Sequence, residues 1–159
     1  MKLGLPRIPE KLALAMLFSA RVLIGLLFFY SGFSKLIQPI EYFEVAVGLY
    51  DIVPDAVIHR VAMITPWIEL VGGTFLLLGY ALEKSAVVLS ILTGLFQIIL
   101  GQALVRRLPM DECGCFGGGF IHMTLYQSFV LDTVLVLLLI QIAGAEKNIF
   151  SLDNKLLGS

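Results

Sequence analysis

The sequence predicts an all-α integral membrane protein: a bundle of four transmembrane helices, with a short amphipathic helix between the first and second. Three observations predict it. The chain is 58% hydrophobic and only 14% charged, whereas a soluble domain carries about a quarter charged residues. Its mean hydropathy is +0.94. The apolar residues fall into four long runs, each close to the ~20 residues that a helix needs to cross a bilayer. Lipid offers the backbone no hydrogen-bond partner, so each run must satisfy its own N–H and C=O groups as a helix. At 159 residues there is room for a single membrane domain, 1–159.

The first run covers about 12–37, after a basic leader of Lys2, Arg7 and Lys11. It exceeds the ~7–15 apolar residues of a secretory signal, and Tyr30-Ser31-Gly32-Phe33-Ser34-Lys35 is a poor cleavage site, so it reads as an uncleaved span. The second run covers about 57–80, the third 86–104 and the fourth 125–143. Glu83-Lys84 is a tight link, which makes spans two and three an antiparallel hairpin. Between Pro39 and Pro54, apolar Tyr42, Phe43, Val45, Ala46, Leu49 and Tyr50 alternate helically with Glu41, Glu44 and Asp51. This pattern predicts a short helix lying on the membrane surface. The tail, 144–159, reads as interfacial or loosely ordered.

Lys and Arg counts in the loops set the orientation. One side carries Lys2, Arg7, Lys11, Lys84, Lys147 and Lys155; the other carries Lys35, Arg60, Arg106 and Arg107. The bias places both termini in the cytoplasm and the loop after span three outside. The net charge of −1, the absence of a basic stripe, and the lack of a phosphate loop or zinc-ligand pattern exclude a nucleic-acid partner and the common nucleotide sites.

The loop after span three holds both cysteines, Cys113 and Cys115, in Asp111-Glu112-Cys113-Gly114-Cys115-Phe116-Gly117-Gly118-Gly119. Three readings are open: a small disulfide, soft-metal handling, or no chemistry. A disulfide needs Cα atoms about 5.5–6 Å apart, which residues i and i+2 reach only on a constrained backbone; Gly114 supplies the freedom. Such a bond is strained, and strained exposed disulfides are the exchanging kind. The outer side is also the oxidising one, where disulfides persist. The N-terminus of span four, Arg106 and Arg107 favour thiolate, while Asp111 and Glu112 oppose it. For a thiophilic metal carrier, Met110 and His122 flank the motif, but Met1, Met16, Met63 and Met123 form no file of ligands; no metal site is assigned.

Arg21, Glu69 and Asp132 fall inside the spans, where ionisable side chains are costly and point to function or pairing. At 1.5 Å per residue Glu69 lies about 18 Å, Asp132 about 15 Å and Gln97 about 13 Å below the outer helix ends, one polar layer. Arg21 lies about 25 Å down, and its long side chain is expected to climb toward Glu69. The plain reading is an Arg21–Glu69 ion pair with Asp132 as a packing carboxyl; the sharper one is a proton route or the polar end of a quinone pocket. The glycines of the spans permit close helix approach. Trp67 and the tyrosines near span ends read as interface anchors, Pro66 as a kink, and His59 as a solvated loop residue.

Three passages carry a family resemblance. Arg21-Val22-Leu23-Ile24-Gly25 leading to Phe29-Tyr30-Ser31-Gly32-Phe33-Ser34-Lys35-Leu36 is similar to the first span of DoxX-like membrane proteins, and Pro66-Trp67-Ile68-Glu69-Leu70-Val71-Gly72-Gly73 to their second. Cys113-Gly114-Cys115-Phe116-Gly117 is similar to the signature of their MauE (methylamine utilisation) branch. The resemblance covers about 12–143. It implies a four-helix membrane bundle, a redox role for Cys113 and Cys115, and maturation of the disulfide-rich small subunit of methylamine dehydrogenase alongside a thioredoxin-like partner. Quinone-linked disulfide-generating bundles share the layout but use Cys-x-x-Cys and a second pair, which this chain lacks. Direct exchange with a thioredoxin-like or other extracytoplasmic thiol protein at the inner membrane is therefore the expectation. A quinone cofactor, a homo-oligomer, a soft-metal (Cu or Hg) carrier and a membrane scaffold remain the alternatives.

Overall fold

The computed structural model describes residues 10–107 and 123–144. Their regular structure is helical throughout: α1 Glu10–Ile37, α2 Ile40–Gly48, α3 Asp55–Leu78, α4 Leu82–Arg106 and α5 Leu125–Gly144. Four stretches, Ala15–Ile37, Asp55–Leu78, Leu82–Arg106 and Leu125–Gly144, are long and apolar enough to span a membrane, and this is a multi-pass membrane protein. The Cys113–Gly117 motif and the tail 145–159 lie outside the described residues.

The bundle is built from two tight helix pairs, α1 with α3 and α4 with α5. Contact between α3 and α4 is lighter, and α1 barely meets α5. The α1–α3 seam is close because it is glycine-lined. A Cβ on Gly32 would sit 2.6 Å from the Pro66 carbonyl and the Leu70 nitrogen, and one on Gly73 2.6 Å from the Phe29 nitrogen. Backbone therefore meets backbone, the arrangement by which membrane helices associate without a hydrophobic driving force. The predicted hairpin of α3 and α4 is present. Gly79 ends α3 at φ 70°, with its N–H on Leu76 O and that of Tyr80 on Phe75 O, a left-handed cap suited to glycine. Pro66 lies inside α3, which continues on both sides of it. Ile24, Phe28, Leu76, Leu89, Leu135 and Leu139 form the shared core. The outward faces carry Leu23, Ile98, Leu95 and Ile140, as expected for helices solvated by lipid.

The short helix expected between the first two spans is present as α2. Phe43 and Val47 turn inward with Ala62 and Ile58 of α3, while Tyr42, Val45 and Leu49 stay exposed. The bundle offers an apolar ledge where α3 runs past the end of α1, and α2 fills it. One expectation changes: Trp67 is exposed but sits at the middle of the 24-residue α3, about 18 Å from its start. It faces the surroundings at mid-helix rather than anchoring an interface.

Candidate functional site in the bundle interior

The chemistry inside the bundle begins with one turn of α1. Ser31 and Lys35 are four residues apart, so both project from the same helix face. Opposite them, the close α1–α3 approach brings in Glu69. The Lys35 ammonium donates to both Glu69 carboxylate oxygens at 2.8 and 2.7 Å and to Ser31 Oγ at 2.8 Å. Ser31 in turn donates to Glu69 at 2.9 Å. The Lys35 and Glu69 side chains are 1% and 5% exposed, and the Phe43 ring of α2 caps the ammonium at 5.1 Å.

Glu69 therefore pairs with Lys35, not with Arg21 as the sequence suggested. The helix register explains this. Gly32 lies against Pro66 and Leu70, whereas Gly25 lies against Gly73 and Leu77; one turn earlier, Arg21 comes level with the α3–α4 turn. It is about 15 Å along α1 from Ser31, buried, with its guanidinium 4.9 Å from the Phe18 ring. Lys35 had read as a loop charge because it precedes the end of span one by only two residues. The signal for its true place was the Ser31-x-x-x-Lys35 spacing, which continues the helical face into the bundle.

A small cavity of about 30 Å³ adjoins the ion pair. Ser31 of α1, Glu69 of α3, Thr93 of α4 and Asp132 of α5 line it together with Leu27, Phe28, Phe96 and Leu135. Glu69 and Asp132 thus share one cavity. Gln97 stands one turn beyond Thr93 and donates to Thr133 Oγ1 at 2.7 Å, tying α4 to α5; Thr133 passes the bond on to Phe129 O. The polar groups of all four spans meet at one level.

At the α2 end, Arg106 donates to Tyr50 O at 3.4 Å and to Asp51 at 3.3 Å, fastening the α2–α3 connection to the end of α4. His59 belongs to α3 rather than to a loop, and its Nδ1 contacts Glu44 of α2. Among the described residues no group of three His, Cys, Asp or Glu side chains could hold a metal ion. Cys113, Gly114, Cys115, Phe116 and Gly117 lie outside those residues, in the chain between α4 and α5.

An ion pair this deep adds little stability over an apolar pair of equal volume, and ionisable groups within spans mark function. Fold and site together define a four-span helical membrane protein with a charged, hydroxyl-lined interior. The chain belongs to the MauE family. The family model described as methylamine utilisation protein MauE matches residues 11–145. The methylamine utilization protein MauE of Paracoccus denitrificans is 27% identical over 127 residues, covering 80% of this chain and 68% of that relative. No solved structure matches the chain.

Proposed function

We propose that this chain is a membrane thiol–disulfide exchange protein serving methylamine utilisation. In this reading Cys113 and Cys115 face the extracytoplasmic side and pass oxidising equivalents to or from a thiol protein there, such as a thioredoxin-like partner. The final recipient is a disulfide-containing protein of the kind represented by the methylamine dehydrogenase small subunit. Membership of the family carries the proposal, because the matched region, 11–145, includes Cys113-Gly114-Cys115-Phe116-Gly117 within its bounds.

The step is a two-electron exchange. A thiolate of the pair attacks one sulfur of the partner's disulfide, forming a mixed disulfide and releasing the partner's first thiolate. The neighbouring cysteine then attacks the mixed disulfide and releases the second. The pair ends oxidised and the partner reduced; run backward, the partner is oxidised. Gly114, between the two cysteines, gives the backbone the range that a two-residue separation demands.

The orientation is a cytoplasmic-membrane protein with both termini inside. The buried state of Lys35 supports it. Without Lys35 the outer loops keep Arg60, Arg106 and Arg107 against six basic residues on the other side, and the bias grows.

The test is trapping. Cys113→Ser and Cys115→Ser are made singly in the full chain, in membranes, and free thiols are alkylated at once. One of the two is expected to accumulate a mixed disulfide with an extracytoplasmic protein, reversed by dithiothreitol. If both single variants support growth on methylamine as the parent does and neither traps a partner, the exchange role is wrong.

A further inference from the structure

We propose that the groove between α3 and α4 is a binding site for an anionic phospholipid, with the phosphate at Lys84 and one acyl chain running along Trp67. The groove holds about 600 Å³, and its walls include Met63, Trp67, Val71 and Phe75 of α3 and Lys84 and Val88 of α4. It follows from the way the bundle is paired. α3 packs tightly on α1 and α4 on α5, so α3 and α4 meet each other lightly and leave the space between their outward faces open.

The dimensions suit one chain from one leaflet. From Phe75 back to Met63 the groove follows α3 for about 18 Å at 1.5 Å per residue, and half of a ~30 Å hydrocarbon core is about 15 Å. Its volume falls within the roughly 300–1,000 Å³ of small-molecule sites. Both helices wall the end beside the α3–α4 turn, whereas α3 alone lines the far end; the contact of Gly72 with Leu89 fixes that register. An occupant is thus held most closely at the turn, where the hairpin meets the membrane interface.

Charge decides the class of lipid. Lys84 stands in the first turn of α4, is exposed, and lines the groove at its turn end. A lysine at the end of a span lays its stem along apolar surface and keeps its ammonium at the interface, the level of a lipid phosphate. Basic pockets between transmembrane helices bind anionic headgroups. Glu83 is next in sequence but does not line the groove, and Arg60 lies toward the opposite end of α3, before the groove begins. A second groove, of about 640 Å³ between α1 and α5, has no charged residue among the described side chains that line it. Size therefore does not single out the α3–α4 groove; Lys84 does. Neither cysteine takes part, so the proposal stands apart from thiol exchange.

Trp67 is the chain's only tryptophan, so its fluorescence reports on the groove directly. The full chain is placed in mixed bilayers of phosphatidylcholine and phosphatidylglycerol, with one lipid or the other brominated at mid-chain, and quenching is compared at equal mole fraction. Phosphatidylglycerol is expected to bind roughly fivefold better, the worth of one lysine at an anionic membrane surface. Lys84→Gln is expected to abolish the preference and Arg60→Gln to leave it. Val88→Phe fills the groove but keeps the lysine, and is expected to lose the preference too, which a general attraction to the charged surface would not. Equal quenching by the two lipids in the parent overturns the proposal, as does a preference that survives Lys84→Gln or is lost with Arg60→Gln. Quenching by neither lipid means that another occupant, such as a second copy of the chain, covers Trp67, and overturns it as well. Should circular dichroism show that Val88→Phe does not fold, Lys84→Gln decides alone.

Discussion

Removing Lys35 is the sharpest perturbation of this bundle. Lys35→Met keeps the length and volume of the side chain but withdraws the ammonium from both Glu69 oxygens and from Ser31. Glu69 is then left in a site where its side chain is 5% exposed. Breaking a buried pair from one side costs about 3–5 kcal/mol, whereas replacing both partners with apolar residues is often neutral or stabilising. Lys35→Met and Glu69→Leu are therefore each expected to destabilise strongly, and the double variant to recover most of the loss. Unfolding in mixed detergent and dodecyl sulfate micelles, followed by helical circular dichroism, gives the cycle. Single variants within about 0.5 kcal/mol of the parent, the range of an indifferent surface change, would refute the burial argument. A double variant as damaged as the sum of the singles would refute the pairing, since contacting residues must couple.

Other positions give further tests. Gly73→Ala places a methyl group 2.6 Å from the Phe29 nitrogen, so a loss of roughly 1–3 kcal/mol from overpacking is expected in the same unfolding assay; Gly94→Ala, which meets nothing within 4 Å, is expected to be neutral or better. Gln97→Leu removes the bond to Thr133 and is expected to cost about 0.6 kcal/mol, typical of interhelical hydrogen bonds in membranes. His59→Ala removes an exposed contact with Glu44 and is expected to change stability by less than about 1 kcal/mol, read by the same titration.

The spans were legible because membrane helices are dictated by hydropathy and length. The runs at 12–37, 57–80, 86–104 and 125–143 reappear as α1, α3, α4 and α5, with α4 extended by a turn at its start to Leu82. The short helix after Pro39 was legible from its period, but not its docking. Which face of α2 turns inward depends on the ledge left where α3 runs past α1. The mid-membrane meeting of Glu69 and Asp132 was legible by counting residues. The identity of the partner of Glu69 was not, since axial depth along one helix says nothing about the lateral register of two.

The sequence by itself determined the class of protein, the number of crossings, and the presence of Cys113-Gly114-Cys115 between the last two spans, because each is written in local composition and spacing. Tertiary structure alone decided that Lys35 is an interior residue, that Arg21 comes level with the α3–α4 turn rather than with Glu69, and that four polar side chains from four helices line one cavity. The physical reason is the glycine-lined α1–α3 seam. Where Gly32 and Gly73 allow backbone to touch backbone, the register is fixed by shape, and the charges must pair with whatever that register sets opposite them.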